Sequence, residues 1–288
     1  MAHSPVTLAS AKAPSRFNGH DLHWRTMTVN DLQAAHGLSL RLGWPHRVDD
    51  WHQMLGVGEG VVVENVDGEL IGTGFCLNQG IVANLGLVII RDEWQGCGLG
   101  REMMTRLMAL AGNRTLLLVA TTAGLPLYQK LGFEPCHRIC QYQGTVTGAL
   151  PVLLPGLRRM QANDHAALLA LSPASPAHAA AVQQASGGVV IENEGVIEGL
   201  ALKRPFGRGE HIGPIIARSP GQVQALVLAL LADAEGGFVR IDLVDPDDDS
   251  WLTAAGLTCV DQVTRMRCGE SVAEGPLTQF GLITQAMG

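Results

Sequence analysis

Residues 85–100 read Leu-Gly-Leu-Val-Ile-Ile-Arg-Asp-Glu-Trp-Gln-Gly-Cys-Gly-Leu-Gly, and the organisation of the chain follows from them. An apolar run bounded by glycines and a polar turn predicts a buried strand. Arg101 to Ala111, with Met104, Leu107, Met108 and Ala111 on one face, predicts a helix directly after it. Strand, glycine-rich turn and helix together make an anion cradle. Glycines at 96, 98 and 100 let the backbone approach a bound group closely, while the unpaired N–H groups and positive dipole end of the helix favour phosphate.

The spacing of the loop separates three phosphate-binding signatures. A dinucleotide fingerprint, G-x-G-x-x-G counted from Gly96, would need glycine where Arg101 stands, and a Walker loop would need a Gly-Lys-Ser/Thr tripeptide that does not follow. The pattern that fits is Gln-x-x-Gly-x-Gly, as Gln95, Gly98 and Gly100. It resembles the pyrophosphate-binding signature of the GNAT superfamily of acyl-CoA-dependent N-acetyltransferases. Downstream, Thr115 to Ala120 is a second apolar run, followed by Thr-Thr-Ala-Gly-Leu-Pro-Leu-Tyr-Gln-Lys-Leu-Gly-Phe at 121–133. This is similar to the family's second hallmark: a strand that splays from its neighbour, then a short helix carrying Leu-Tyr, closed by Leu-Gly-Phe. Gly132 suits the left-handed position past a helix end. The resemblance implies an α+β, three-layer GNAT fold with a mixed, mostly antiparallel sheet and a splayed strand pair.

Length and composition bound this reading. A chain of 288 residues, 47% apolar, predicts about two domains with proper cores. A formal charge of −7 and the lack of any lysine- or arginine-rich block argue against nucleic acid and favour an amine over an acidic substrate. The cysteines at 76, 97, 136, 140, 259 and 268 lack C-x-x-C spacing and read as reduced thiols in a cytoplasmic protein. Cys136, His137 and Cys140 invite a metal reading, but in a strand His137 points away from the face the two cysteines share, so core packing is expected and no metal. No run approaches the roughly 20 apolar residues of a membrane span, and Met1 to Ser15 lacks the apolar core of a secretory signal. Residues 1–20 are expected to form a flexible tail.

In chain order, Leu22 to Val29 predicts the opening strand, and Asn30 or Asp31 an N-cap for a helix to about Leu42. Val61 to Glu64 and Leu70 to Leu77 form a hairpin across Asp67-Gly68, and Asn78-Gln79-Gly80 turns into the organising strand. Cys140 to Val146 closes a first domain, 21–147, as an edge strand. Residues 148–157 read as a linker. The order then repeats over 158–270: a helix at 164–171, strands at 188–192 and 196–203, a strand at 211–217, a helix at 222–234, a strand at 238–244, a helix at 251–256 and a strand at 259–267. Ala-Arg-Ser-Pro-Gly-Gln-Val at 217–223 takes the place of the glycine-rich loop, with only Gly221 left and a donor removed by Pro220. The arrangement, with Arg265-Met266 near its end, resembles two-domain bacterial N-acetyltransferases with a degenerate second domain. Residues 271–288, containing Phe280-Gly281-Leu282-Ile283, are expected to pack back.

What the resemblance implies about chemistry is direct attack of a neutral amine on the acetyl thioester of acetyl-CoA, the co-substrate. Backbone from Gln95 through Gly96, Cys97, Gly98 and Leu99 to Gly100 would hold the pyrophosphate. Backbone at Leu87, Val88 and Ile89 would pair with pantetheine and polarise the carbonyl. Tyr128 would be the general acid beside the departing sulfur, and Thr121 stands where many family members carry an asparagine that contacts pantetheine. Trp44 and His46, between the first two helices, are candidates to touch the acceptor; Trp51 reads as core. No carboxylate lies between Val82 and Ile90, so the base stays open among His46, Asp49, His211 and a water chain. A small-molecule amine is the expected acceptor. A protein lysine and a non-catalytic acyl-CoA sensor are the alternatives, and a monomer and a homodimer are equally open.

Overall fold

The computed structural model of the chain describes residues 15–17, 20–148, 153–172, 174–272 and 275–288. Most of the expected tail 1–20, and positions 149–152 of the expected linker 148–157, lie outside the described residues. The chain forms two compact units, one from residues up to Leu77 with Leu85–Gly112, the other from Asn78–Asn84 with Asn113–Gly288.

The first unit opens with a short strand, β1 (Ser15–Phe17), where a tail is expected, and it pairs antiparallel with β2 (His20–Thr26). Helices α1 (Leu32–Arg41) and α2 (Val48–Val57) follow, then strands β3 (Glu59–Glu64), β4 (Leu70–Gln79) and β5 (Val82–Ile90), neighbours in the order β1-β2-β3-β4-β5. Entry into α1 is fixed by the Asp31 carboxylate, which accepts from the Thr28 N–H at 2.7 Å, so the capping pair is Thr28 and Asp31 rather than Asn30. Helix α3 (Leu99–Ala111) buries Met103, Met104, Leu107 and Ala111. It sits close to β4 because Gly74 has no side chain: a Cβ there would meet Leu107 Cδ1 at 2.7 Å. Trp51 is fully buried against Phe75, as its place after two aspartates predicts.

The second unit begins with β6 (Thr115–Ala120), α4 (Leu125–Lys130) and β7 (Glu134–Thr145). It continues with β8 (Leu157–Arg159), α5 (His165–Ala170), α6 (Pro176–Gln184), β9 (Gly187–Asn193), β10 (Val196–Phe206) and β11 (Gly209–Ala217). Last come α7 (Pro220–Ala232), β12 (Phe238–Val244), α8 (Ser250–Ala254), β13 (Thr258–Cys268) and β14 (Thr278–Gly281). The strand order is β6-β13-β7-β12-β14-β11-β10-β9-β8. Helix α7 is apolar nearly all round, and Leu226, Val227, Leu230 and Leu231 pack with Ile191, Ile215 and Ile241 of the sheet.

Two corrections follow from this order. The strand expected to be an edge, β7, is interior, with β13 on one side and β12 on the other over Ile139–Gln143. The strand that ends the second repeat, β13, inserts between β6 and β7 of the first. This is a pairing between residues more than a hundred positions apart, which no local pattern announces. Helix α6 is an element the pattern leaves unassigned; its signal is Ser175-Pro176, an N-cap serine whose oxygen accepts from the His178 N–H, followed by proline at the first helical position.

The repeat is visible in side chains as well. Arg25 on β2 makes a two-pronged contact with Asp31 (2.6 and 2.7 Å) and pairs with Glu64 on β3. Arg158 on β8 does the same with Asp164 (2.7 and 2.8 Å) and Glu192 on β9 (2.7 Å). In both, the aspartate also accepts the N–H three residues before it, at 2.7 Å. One arginine thus ties the opening strand, the first helical turn and the next strand together in each repeat.

Candidate active site

The loop between β5 and α3 is built as the sequence predicts. Its polar turn, Asp92–Trp94, is a single 3-10 turn. Gln95 staples the loop through its side-chain amide, donating to the Ile90 carbonyl at 2.9 Å and to Asp92 Oδ1 at 3.0 Å. Cys97 Sγ lies 3.6 Å from the Gln95 carbonyl. Gly96 and Gly98 are both left-handed, at φ +74° and +89°, a region where a side chain is strained. Gly98 is the N-cap of α3 and has no side chain to satisfy the first-turn N–H groups. Those of Leu99, Gly100 and Arg101 therefore have no partner from an ordinary helical ladder. Leu99 is buried and anchors the turn, while Gln95, Gly96 and Gly98 are exposed. The one acid in the first turn, Glu102, is paired with Arg106 at 2.7 Å, which limits its repulsion of an anion.

Upstream, Leu87 takes φ +47° in the middle of β5, an uncommon conformation for a residue with a side chain. The strand is therefore irregular at Leu87, Val88 and Ile89, and its main-chain groups there are re-aimed. Nothing in the identity of leucine signals this. Strain of this kind persists where surrounding packing enforces it, and it clusters at functional sites.

Thr121 and Tyr128 belong to the second unit. The Thr121 hydroxyl accepts from the Gly124 N–H at 3.2 Å and its carbonyl from the N–H groups of Gly124 and Leu125 at 3.0 Å, so this residue closes the turn that leads into α4, whose N-cap is Gly124. Tyr128 is 8% exposed, edge-on to Phe133 with ring centroids 6.1 Å apart. A Cβ at Gly124 would stand 2.8 Å from the Tyr128 ring, so glycine makes room for the tyrosine. Burial pushes the Tyr128 phenol up to about 12. Its hydroxyl has no hydrogen-bond partner among the described residues and stays protonated throughout the physiological range.

Among the acceptor candidates, Trp44 and His46 are half-buried neighbours in the α1–α2 connection, with ring centroids 6.1 Å apart. The connection is held by His36 Nε2 on the His46 carbonyl (2.8 Å) and by the Trp44 N–H on the Ser39 carbonyl (3.0 Å). Asp49 is exposed. His211 is fully buried with Nε2 3.1 Å from Asp242, whose carboxylate also holds Arg240 and Gln285. A histidine closed off in this way cannot take a proton from an incoming amine. His137 pairs with Asp245 at 2.7 Å, and Cys136 lies against the Arg265 carbonyl.

The corresponding loop of the second repeat is closed by its own residues. The N-cap of α7 is Ser219, whose hydroxyl accepts from the Gln222 N–H, and Pro220 has no N–H to offer. Gln222 Oε1 in turn accepts from the Arg218 N–H at 2.9 Å. Beside it, β11 and β12 pair in parallel only over Glu210–Ile212 and then part. The gap is filled by β14, which pairs with β11 at Ile215–Ala217 and with β12 at Leu243. The expected packing back of residues 271–288 is thus a strand laid into the splay where a cofactor arm would lie.

Comparison with known proteins agrees with the two halves. Residues 57–135 match one model described as an acetyltransferase (GNAT) domain, and residues 179–281 match a second model with the same description. The uncharacterized N-acetyltransferase YitH of Bacillus subtilis (strain 168) is 29% identical over 212 residues, 70% of this chain and 74% of that protein. In fold, the chain resembles a putative acetyltransferase from Pyrococcus horikoshii (TM-score 0.73, 19% identity, 93% of this chain and 96% of that one). It also resembles a tandem GNAT protein from the clavulanic acid biosynthesis pathway (TM-score 0.59, 14% identity, 88% and 100%).

Proposed function

Because the chain belongs to the GNAT acetyltransferases, with two such domains in tandem, we propose that it is an N-acetyltransferase that uses acetyl-CoA to acetylate a small-molecule amine, with the first domain alone binding the cofactor. The observation that carries this reading is the contrast between two helix starts. Gly98 leaves the N-terminus of α3 open, while Ser219, Pro220 and Gln222 close that of α7. Acetyl-CoA, when bound, supplies an acyl group already activated as a thioester. Main-chain N–H groups from Gly96 to Arg101 bind its pyrophosphate, with Gln95 keeping the loop in shape. The irregular backbone at Leu87–Ile89 aligns the pantetheine arm and offers an N–H to the carbonyl, the kind of preorganised donor that stabilises developing negative charge. Tyr128 holds a proton on Oη and suits the role of donor to a departing sulfur. Trp44 and His46 are the acceptor-side contacts.

The test is thiol release from acetyl-CoA across a panel of amino acids, polyamines, aminoglycosides and a lysine peptide, with CoA binding followed by calorimetry. Release with one small amine, and one CoA bound per chain, is expected. Release with the peptide alone would make the chain a protein acetyltransferase. A second reading, a non-catalytic acyl-CoA sensor, is favoured by the lack of any carboxylate along Val82–Ile90. Tight binding at one site without release by any amine would support it.

A further inference from the structure

In the second unit a cavity of about 240 Å³ opens between the first turns of α7, the end of β12 with the loop after it, α8 and β14. Its body is apolar, with Val223, Leu243, Trp251 and Phe280 in the wall. Its rim is acidic, with Asp245, Asp247 and Asp248 on the loop, and among the described residues that line it there is no lysine, arginine or histidine. The matching connection in the first repeat, between β6 and α4, begins Thr121-Thr122-Ala123-Gly124 and carries no charge. In the second repeat, Asp245-Pro246-Asp247-Asp248-Asp249 holds four carboxylates in five residues. The connection that is neutral in one repeat is thus strongly negative in the other.

The rim is held in shape by its neighbours. Asp245 accepts from the Arg138 N–H at 2.7 Å and pairs with His137 at 2.7 Å. Asp248 Oδ1 accepts from the Ser250 N–H at 2.9 Å, which holds this carboxyl below the usual carboxylate range and keeps it charged. The Trp251 ring is fixed to the same residue, with Nε1–H on the Asp248 carbonyl at 3.0 Å. Asp249 accepts from Tyr142 Oη at 2.8 Å. Arg138 donates to the Pro246 carbonyl at 2.9 Å, which ties β7 to the loop. Asp245 is therefore answered by a histidine, whereas Asp247 and Asp248 pair with no cation among the described residues.

We propose that this cavity is a ligand site of the second repeat for a small organic ammonium that carries no carboxylate. Asp247 and Asp248 answer the positive charge, and the wall of Trp251 and Phe280 suits the apolar stem of an amine. A metal ion is the poorer occupant. It needs oxygen ligands on most sides, and the described residues hold no group of three or more His, Cys, Asp or Glu side chains able to bind one. An anion is disfavoured twice, by the carboxylates and by the start of α7, where Ser219 takes one first-turn N–H and Pro220 removes another. The volume lies below the roughly 300 Å³ at which ordinary ligand pockets begin, which limits the occupant to a short amine.

The probes are butylamine and phenethylamine, the matching neutral alcohols, and phenylalanine, which adds a carboxylate to phenethylamine. Each is offered to the full chain without acyl-CoA and followed by calorimetry at low and high salt. At least one amine should bind more tightly than its alcohol and lose affinity as salt is raised, and phenylalanine should bind more weakly than phenethylamine. Asp247→Asn combined with Asp248→Asn should weaken amine binding roughly fivefold or more, the worth of charge pairs at a partly exposed rim. Asparagine at 248 can still accept from the Ser250 N–H, so the loop keeps its shape. Asp67→Asn, which removes a charge from the exposed turn between β3 and β4, should bind the amine as wild type does. No binding by either amine, equal binding of amine and alcohol, or unchanged affinity in the double variant would each overturn the proposal. So would binding of calcium or of a lysine peptide with neither amine bound. An amine kept by the double variant but lost in His46→Ala is held on the acceptor side of the first repeat, which also overturns it. Because acyl-CoA is absent throughout, failure of the acetyltransferase reading would not disturb this result.

Discussion

Alanine at Gly98 and alanine at Gly221 should act with opposite sign, although both glycines stand where a strand passes into a helix. Gly98 has φ +89° and ψ 0° at the N-cap of α3. An L-residue held in that left-handed region costs about 1–2 kcal/mol. Gly221 lies within the first turn of α7, outside the left-handed region, and a Cβ built on it meets nothing within 4 Å. Replacing a helical glycine by alanine gains about 0.5–1 kcal/mol. At roughly 2–4 °C per kcal/mol for domains of this size, Gly98→Ala should unfold about 2–8 °C below wild type and Gly221→Ala about 1–4 °C above it. The effect on cofactor should be one-sided. Relief of strain at residue 98 re-aims the N–H groups at the start of α3, and loss of even one bond to a charged oxygen lowers CoA affinity about tenfold or more. Gly221→Ala should leave affinity unchanged. Thermal unfolding with and without CoA, together with a calorimetric titration, reads both quantities. Unchanged affinity in Gly98→Ala, lowered affinity in Gly221→Ala, or two CoA bound per chain would refute the assignment of the cradle to the first repeat.

Tyr128→Phe should lower turnover by about 10²- to 10⁴-fold while CoA affinity holds. Because the phenol is pushed up to about 12, wild-type turnover should also show no loss from tyrosine ionisation up to pH 10; a fall centred there would contradict its role. Acid should weaken the fold. Burial holds His178 and His211 below the usual histidine pKa, so their neutral forms contribute stability that is complete above about pH 6.5 and is lost as pH falls from there toward the folded-state values. The thermal midpoint should therefore drop between pH 7 and 5, and less in His211→Phe. Asp31→Ala and Asp164→Ala should each destabilise by about 1–3 kcal/mol, through loss of a cap and of an arginine's partner; a large effect in one with none in the other would break the equivalence of the two repeats.

Most of the elements, and the glycine-rich loop with them, were legible because they are local. Glycines at 96 and 98, the apolar run before them and the helical face after them all lie within one stretch of about twenty-five residues. The short helix that carries Tyr128 was legible through the Leu-Tyr and Leu-Gly-Phe pattern, and Gly124 clears space there for the ring. Three features were not legible. The left-handed Leu87 carries no residue signature, because strain there is imposed from outside the strand. The insertion of β13 between β6 and β7 depends on pairing over more than a hundred residues, so alternating polarity in β7 was read as an exposed edge when both its edges are used. The cavity beside Trp251 assembles side chains from α7, β12, α8 and β14, which share no spacing in sequence.

The exchange of strands gives the second repeat a structural role in the sheet that also holds β6 and β7. In the second unit β6 has β13 as its partner, β13 has β7, and β7 has β12. Each repeat's closing strand thus serves the sheet of the other. Removing the second repeat would leave β6 and β7 with unpaired main-chain groups along flat edges, a costly and aggregation-prone state. The same logic accounts for β14. Once the α7 end of the second repeat is closed by Ser219 and Gln222, the gap between β11 and β12 is a defect, with unsatisfied N–H and C=O groups on both sides. A strand from the chain itself satisfies them: Gly281 fits against Ile215 and Leu243, where a Cβ would stand 2.6 Å from Ile215 Cδ1. With the slot filled, β14 ties the last residues of the chain into the sheet of the second repeat.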